Sequence, residues 1–203
     1  MQKISAMQQL SADITLENDA VLLRPLTAAD LPHLLPFSLH EPELWKHSLA
    51  TAAGEENLAT YIEQAVDARR AGREYPFIVF DKKQQAYAGS TRFYDIQPTH
   101  QTLQLGYTWY GKQFQGTGLN KHCKYLLLQF AFETLGVERV EFRADSTNEK
   151  SIAAMKSIGC TVEGILRSHM PRVSGGRRDS IVLSILKDEW NGHVKEMLAG
   201  KLR

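Results

Sequence analysis

The stretch KQFQGTGLNK, residues 112–121, sets two glycines two positions apart just before a run of helix formers beginning at Leu119. Bare backbone at the mouth of a helix has two uses. It makes a tight turn that needs φ > 0, or it lets an anion approach several N–H groups at the positive end of the helix dipole. The glycines alone leave both open. The residues before them, TLQLGYTWY (102–110), alternate as a strand, so the motif is strand, loop and helix in the middle of the chain.

Three phosphate-binding patterns compete for this loop. A Walker loop needs Lys-Ser/Thr after its last glycine, but Gly118 is followed by Leu119 and Asn120. A dinucleotide fingerprint needs a third glycine where Lys121 stands, and a parallel βαβ unit in front of it. The third pattern is Gln113-x-x-Gly116-x-Gly118.

Outward from the loop, the spacing predicts a mixed α/β order in one domain. ITLENDAVLLRPL (14–26) reads as two short strands around Asn18 and Asp19, and Thr27 with Asp30 has capping-box spacing for a short helix. Residues 36–54 carry Pro36, Pro42, Phe37, Leu44 and Trp45 and suit a loop with apolar contacts. Leu58, Tyr61, Ile62, Ala65 and Val66 mark an amphipathic helix that Gly72 stops. PFIVF (76–80) and YAGSTRFYDI (87–96) form an expected antiparallel hairpin. After the loop come a helix from Leu119 to Gly136, a strand at 139–144, a capped helix at 148–159 and two last strands around SGGR. Residues 1–12 read as a flexible extension, 13–190 as the domain and 191–203 as a helical tail suited to packing or self-association.

Composition narrows the partners. The chain has 203 residues, 43% hydrophobic and 23% charged, with a net charge of +1. Such a balance gives no general pull toward nucleic acid or an acidic membrane, so a bound anion must be held by local geometry. No stretch approaches the length of a membrane span, and the two cysteines, Cys123 and Cys160, have no metal-ligand spacing. A cytoplasmic protein without metal, nucleic acid or membrane is the expectation. Tyr107, Trp109 and Tyr110 accordingly read as core and groove packing rather than a base-stacking surface.

Several segments in order, LRPLTAADLPHLL, GSTRFYDI, LGYTWYGKQFQGTGLNKHCKYLLLQFAFETLG, NEKSIAAMKSIGCTVEGILRSHM and GGRRDSIVLSILKDEW, resemble the GNAT N-acetyltransferase superfamily. Within it they look most like the RimJ/RimL type, the ribosomal-protein N-terminal acetyltransferases. The resemblance implies a single-domain GNAT fold, a mixed, mostly antiparallel sheet of about seven strands flanked by helices, with a V-shaped splay between its two central strands. It implies acetyl-CoA as co-substrate and transfer of acetyl to a primary amine, on a protein N-terminus or a small molecule. The alternative on the same scaffold is a noncatalytic acyl-CoA sensor, and a homodimer is possible.

Residue by residue, the resemblance assigns the cofactor loop to Gln113, Phe114, Gln115, Gly116, Thr117, Gly118 and Leu119, with the amides of Gln115 through Leu119 around the pyrophosphate. Tyr107, Thr108 and Trp109 would run beside the pantetheine arm. Asn148 would meet the pantetheine or a water, and Ser151 would lie near the sulfur as proton donor. Read without the family, Asn148 is an ordinary N-cap and Ser151 a first-turn residue. Many superfamily members place a tyrosine acid four residues before the glycine that ends this helix, and here that position is Met155. Glu163 and His169, on the following strand, are the candidate bases beside Glu43. Acceptor choice falls to residues 36–54 and 171–178, where Arg177 and Arg178 read as a solvated turn.

Overall fold

The computed structural model describes residues 10–173 and 175–202. Most of the expected N-terminal extension, residues 1–9, lies outside the described residues, whereas Leu10 and Ile14 are buried against the core. β1 (Leu16–Glu17) and β2 (Val21–Pro25) form a hairpin around Asn18, whose Oδ1 accepts the Ala20 and Val21 N–H groups at 3.0 and 3.1 Å. The Asp30 carboxylate takes the Thr27 N–H at 2.8 Å and the Arg24 guanidinium at 2.6 Å. These bonds hold the turn that opens α1 (Leu31–His40), and Pro32 falls in the first turn of that helix, where no hydrogen bond is lost.

α2 (Glu55–Arg70) buries Leu58, Tyr61, Ile62 and Ala65, as their spacing requires. β3 (Tyr75–Asp81) and β4 (Ala86–Gln97) pair as the antiparallel hairpin read from the sequence. β5 (Thr102–Tyr110) leads through the glycine loop into α3 (Leu119–Gln129), which continues as a π turn (Phe130–Leu135) and stops at Gly136 with φ 72°. β6 (Arg139–Asp145), α4 (Glu149–Ser157), β7 (Thr161–Pro171) and β8 (Arg177–Leu186) follow. A helical segment over 187–199 closes the chain, with Trp190, Val194 and Leu198 fully buried and the Trp190 ring stacked on Phe132 at 5.6 Å.

Among the described residues the sheet has eight strands in the order β1-β2-β3-β4-β5-β6-β8-β7, one more than the seven expected, because the two-residue β1 pairs as a separate edge. Of these strand pairs only β5 and β6 run parallel. Their pairing covers Thr102–Gln104 against Arg139–Glu141 and then ends, although β5 continues to Tyr110 and β6 to Asp145. The cause lies in β5 itself. Its register against β4 slips between Ser90 and Arg92, opposite Trp109 and Gly106, and Tyr107 there takes φ 49°. A bulge of this kind bends its strand and ends regular pairing, so β5 swings away from β6 and leaves a wedge.

Candidate active site

The glycine loop sits at the mouth of that wedge. Gly116 and Gly118 have φ of 78° and 93°, and a Cβ on Gly116 would meet nothing within 4 Å. Backbone conformation, not crowding, therefore selects glycine at 116. Of the amides from Gln115 to Leu119, that of Gln115 is spent on the Lys112 carbonyl at 3.1 Å, and that of Leu119 leans on Thr117 Oγ1 at 3.4 Å. The N–H groups of Gly116, Thr117, Gly118 and Asn120 have no protein acceptor among the described residues. Four bare amides at the start of an α-helix make a candidate anion site.

Neighbouring side chains hold the loop in place. Phe114 is buried and meets the Phe37 ring edge-on at 6.2 Å, whereas Gln113 is exposed. Gln115 Nε2 donates to the Tyr110 carbonyl at 2.7 Å, and Gln115 Oε1 accepts from Lys150 in the first turn of α4. The loop, the end of β5 and the start of α4 thus form one rim. Along β5, Trp109 packs on Trp45 at 5.2 Å, Tyr107 covers the Arg92 guanidinium at 4.1 Å, and Thr108 Oγ1 accepts from Lys124 Nζ at 2.8 Å.

At the start of α4, Asn148 Oδ1 accepts the Ser151 N–H at 3.1 Å, which is an N-cap's duty. The Ser151 hydroxyl is half-buried and has no hydrogen-bond partner among the described residues. Met155, at the position where many superfamily members carry a tyrosine, is buried in the core.

The structure separates the two candidate bases on β7. Glu163 binds Arg139 at 2.7 Å and accepts from Ser184 Oγ at 2.5 Å, beside the closed end of the wedge. The Arg139 bonds hold its carboxyl below the usual glutamate range. His169 lies toward the open end, with Nδ1 3.0 Å from Ser180 Oγ and Nε2 3.5 Å from Arg143 Nη1. Burial, then the Arg143, Arg178 and Arg177 cations, push its pKa below the ordinary histidine value, so the ring is neutral at pH 7. Glu43 is engaged by Lys112 on the surface.

A cleft of about 420 Å³ lies where β6 ends, lined by Trp45, Lys46, His47, Asp145, Thr147 and Arg172. It joins the 36–54 segment to the turn after β7, the two segments to which the family resemblance assigns acceptor choice. Burial would raise the Asp145 carboxyl, but the bonds from Arg172 and Thr147 outweigh it and bring the group to about 2. Arg177 is exposed, as a solvated turn requires. Arg178 departs from that reading: it is buried, donating to Ser180 Oγ at 3.0 Å and to the His47 carbonyl at 3.2 Å. Asp179 accepts the Ser168 N–H at 2.7 Å, and the Arg172 guanidinium donates to Asp145 at 3.0 Å.

Sequence reasoning missed Lys124, Arg178 and Asp145, all buried at or behind the wedge. Lys124 had a detectable signal, since it stands one turn before Leu128 on the face of α3 that the core covers. No helix among the described residues is long and apolar enough to cross a membrane, and no group of three His, Cys, Asp or Glu among them is placed to hold a metal.

Residues 20–161 match the profile of the acetyltransferase (GNAT) domain. The chain belongs to the GNAT acetyltransferases. This GNAT chain is 28% identical over 179 residues to a Bacillus subtilis (strain 168) protein named ribosomal N-acetyltransferase YdaF, covering 86% of this chain and 96% of that one. An acetyltransferase structure from T. thermophilus superposes with a TM-score of 0.83 at 35% identity, over 93% of this chain and 97% of that one. Mycobacterium smegmatis RimJ, solved in complex with CoA-disulfide, shares the fold at a TM-score of 0.76 and 20% identity, over 93% of each chain. The GNAT chain is thus an acyltransferase on a mostly antiparallel, open sheet.

Proposed function

We propose that this acetyltransferase carries acetyl from acetyl-CoA directly to a primary amine bound in the cleft beyond β6. The observation that carries this reading is the set of unspent amides at Gly116, Thr117, Gly118 and Asn120, opening onto the wedge between β5 and β6. Those amides would hold the pyrophosphate, and the unpaired edges of β5 and β6 would flank the pantetheine arm. Acetyl-CoA supplies an activated acyl group.

The chain's own residues would do the rest. Ser151 offers a free hydroxyl at the first turn of α4, and the backbone edge of the wedge can polarise the acyl carbonyl. His169, neutral and at the open end, is better placed than Glu163 to accept the proton that the amine sheds, directly or through water. A protein N-terminal amine is the first acceptor to try, because the relative YdaF is named as a ribosomal N-acetyltransferase.

Release of free thiol from acetyl-CoA, followed with a panel of N-terminal peptides and small amines, tests the transfer. Calorimetry with CoA tests the site by itself. Absence of CoA binding would remove the reading altogether.

A further inference from the structure

Lys124, on the second turn of α3, is 5% exposed and has no carboxylate within ion-pair distance among the described residues. An ammonium has three N–H donors. The structure gives this one two acceptors, Thr108 Oγ1 on β5 at 2.8 Å and Thr91 Oγ1 on β4 at 3.4 Å. On the other side, its Nζ lies 5.9 Å from the Phe142 ring on β6. The charge therefore bridges β5 and β6 beyond the point where their pairing has ended.

Such a group costs stability, because a buried charge without a counterion forfeits its hydration. Burial drives its pKa down to about 8, with the Cys123 and Cys160 thiols pulling slightly the other way. Cys160, one of the two thiols whose electrostatic influence reaches Lys124, follows α4 and donates its N–H to the Met155 carbonyl at 3.2 Å, which places Lys124 on the side where α4 ends. The Ser151 hydroxyl can relay a proton, but an aliphatic alcohol is too weak an acid to be its source.

Resting on the acetyltransferase reading, we propose that Lys124 is the cation and proton source for the departing CoA sulfur, in the role a phenol at position 155 would fill. As the carbon–sulfur bond breaks, its electron pair stays on sulfur, and Lys124 Nζ gives up one proton there. The acceptor nitrogen sheds its proton to His169 or water as the amide forms, and a proton taken back from solvent restores the ammonium, so the lysine is unchanged over a cycle. In a dry wedge a positive charge beside the forming thiolate is worth far more than in water.

Calorimetry comparing CoA with desulfo-CoA, which lacks the sulfur, tests this without any acceptor. For the wild type, preference for CoA should rise about tenfold between pH 6.5 and 8, as the thiol and the ammonium together give up one proton more readily than the lysine alone, and then level off where the free lysine is itself losing its charge. The titratable groups facing Lys124 are Cys123 on its own helix and Cys160 after α4, both held by burial at about 12 and so neutral throughout. Thr91, Thr108 and Phe142 face it from the strands. Lys124→Met should keep desulfo-CoA affinity, lose the pH-dependent preference, and melt at or above the wild-type temperature. Its turnover on a working acceptor should fall about 100-fold. Lys124→Gln provides the same comparison if the methionine variant does not fold. An unaltered pH dependence in the variant, or a lowered melting temperature with the CoA preference intact, overturns the proposal and makes the lysine structural. Failure of wild-type protein to bind desulfo-CoA would instead strike the cofactor site itself, and this proposal with it.

Discussion

At the closed end of the β5–β6 pair, where Thr102–Gln104 meet Arg139–Glu141, the charges answer one another. Arg139 binds both Glu141 and Glu163, and Glu163 also takes the Ser184 hydroxyl. At the open end the same two strands leave work undone. Among the described residues, Trp45 Nε1, Trp109 Nε1 and the Tyr110 hydroxyl are buried without partners, Lys124 has no counterion, and the glycine loop holds four unspent amides. Orphaned polar atoms also occur at Gln104 in the closed end and at Tyr61, Ser90 and Arg92, so it is the four unspent amides and the uncompensated lysine that distinguish the open end. The closed end supplies stiffness, and the open end is where we propose the site.

The sharpest way to break this contrast is to fill the open end with charge. Gly118→Asp sets a carboxylate among the bare amides and should weaken CoA binding at least about 100-fold, with the circular dichroism spectrum retained. Unchanged CoA affinity in that variant would detach the loop from the cofactor. Ser151→Ala removes the free hydroxyl at the rim but leaves its N–H on Asn148. Turnover should fall about tenfold while the CoA dissociation constant stays within about twofold, and an undiminished rate would return Ser151 to a purely helical role.

Asp145 tests the border of the cleft. Its folded pKa of about 2 lies below the ordinary value of 3.8, so its stabilising effect is present above about pH 4 and drains away as the pH falls toward 2. In Asp145→Asn the melting temperature should lose the part of its acid dependence worth about 2 kcal/mol between those limits, and an unchanged acid limb would show that the Arg172 pair contributes nothing. The smallest effect belongs to the closed end: Glu163→Gln weakens a half-exposed ion pair and should cost no more than about 1 kcal/mol in a urea titration. A tenfold loss of turnover there would make Glu163 the base and undo the division between the two ends.

Much of this is legible without coordinates. Helices show through the spacing of Leu58, Tyr61, Ile62 and Ala65, strands through alternation, and the turn into α3 through glycines placed before Leu119, because each signal is local. Arg178 reads as solvated from its neighbours in GGRR, and only the approach of the His47 carbonyl, far away in sequence, buries it. Glu163 and His169 look alike as polar residues on one strand; what separates them is which end of the wedge their neighbours Arg139 and Ser180 occupy.

By itself the sequence determined the order of elements, the glycine-bearing turn at the head of α3 and the kinship with acetyltransferases, since propensity, periodicity and backbone freedom act over a few residues. Only the tertiary structure decided where β5 and β6 part, which amides remain unspent and that Lys124 lies dry between Thr108 and Phe142. Those outcomes depend on strands and helices meeting across long stretches of chain, where burial and the absence of a partner are properties of the assembled sheet rather than of any segment in it.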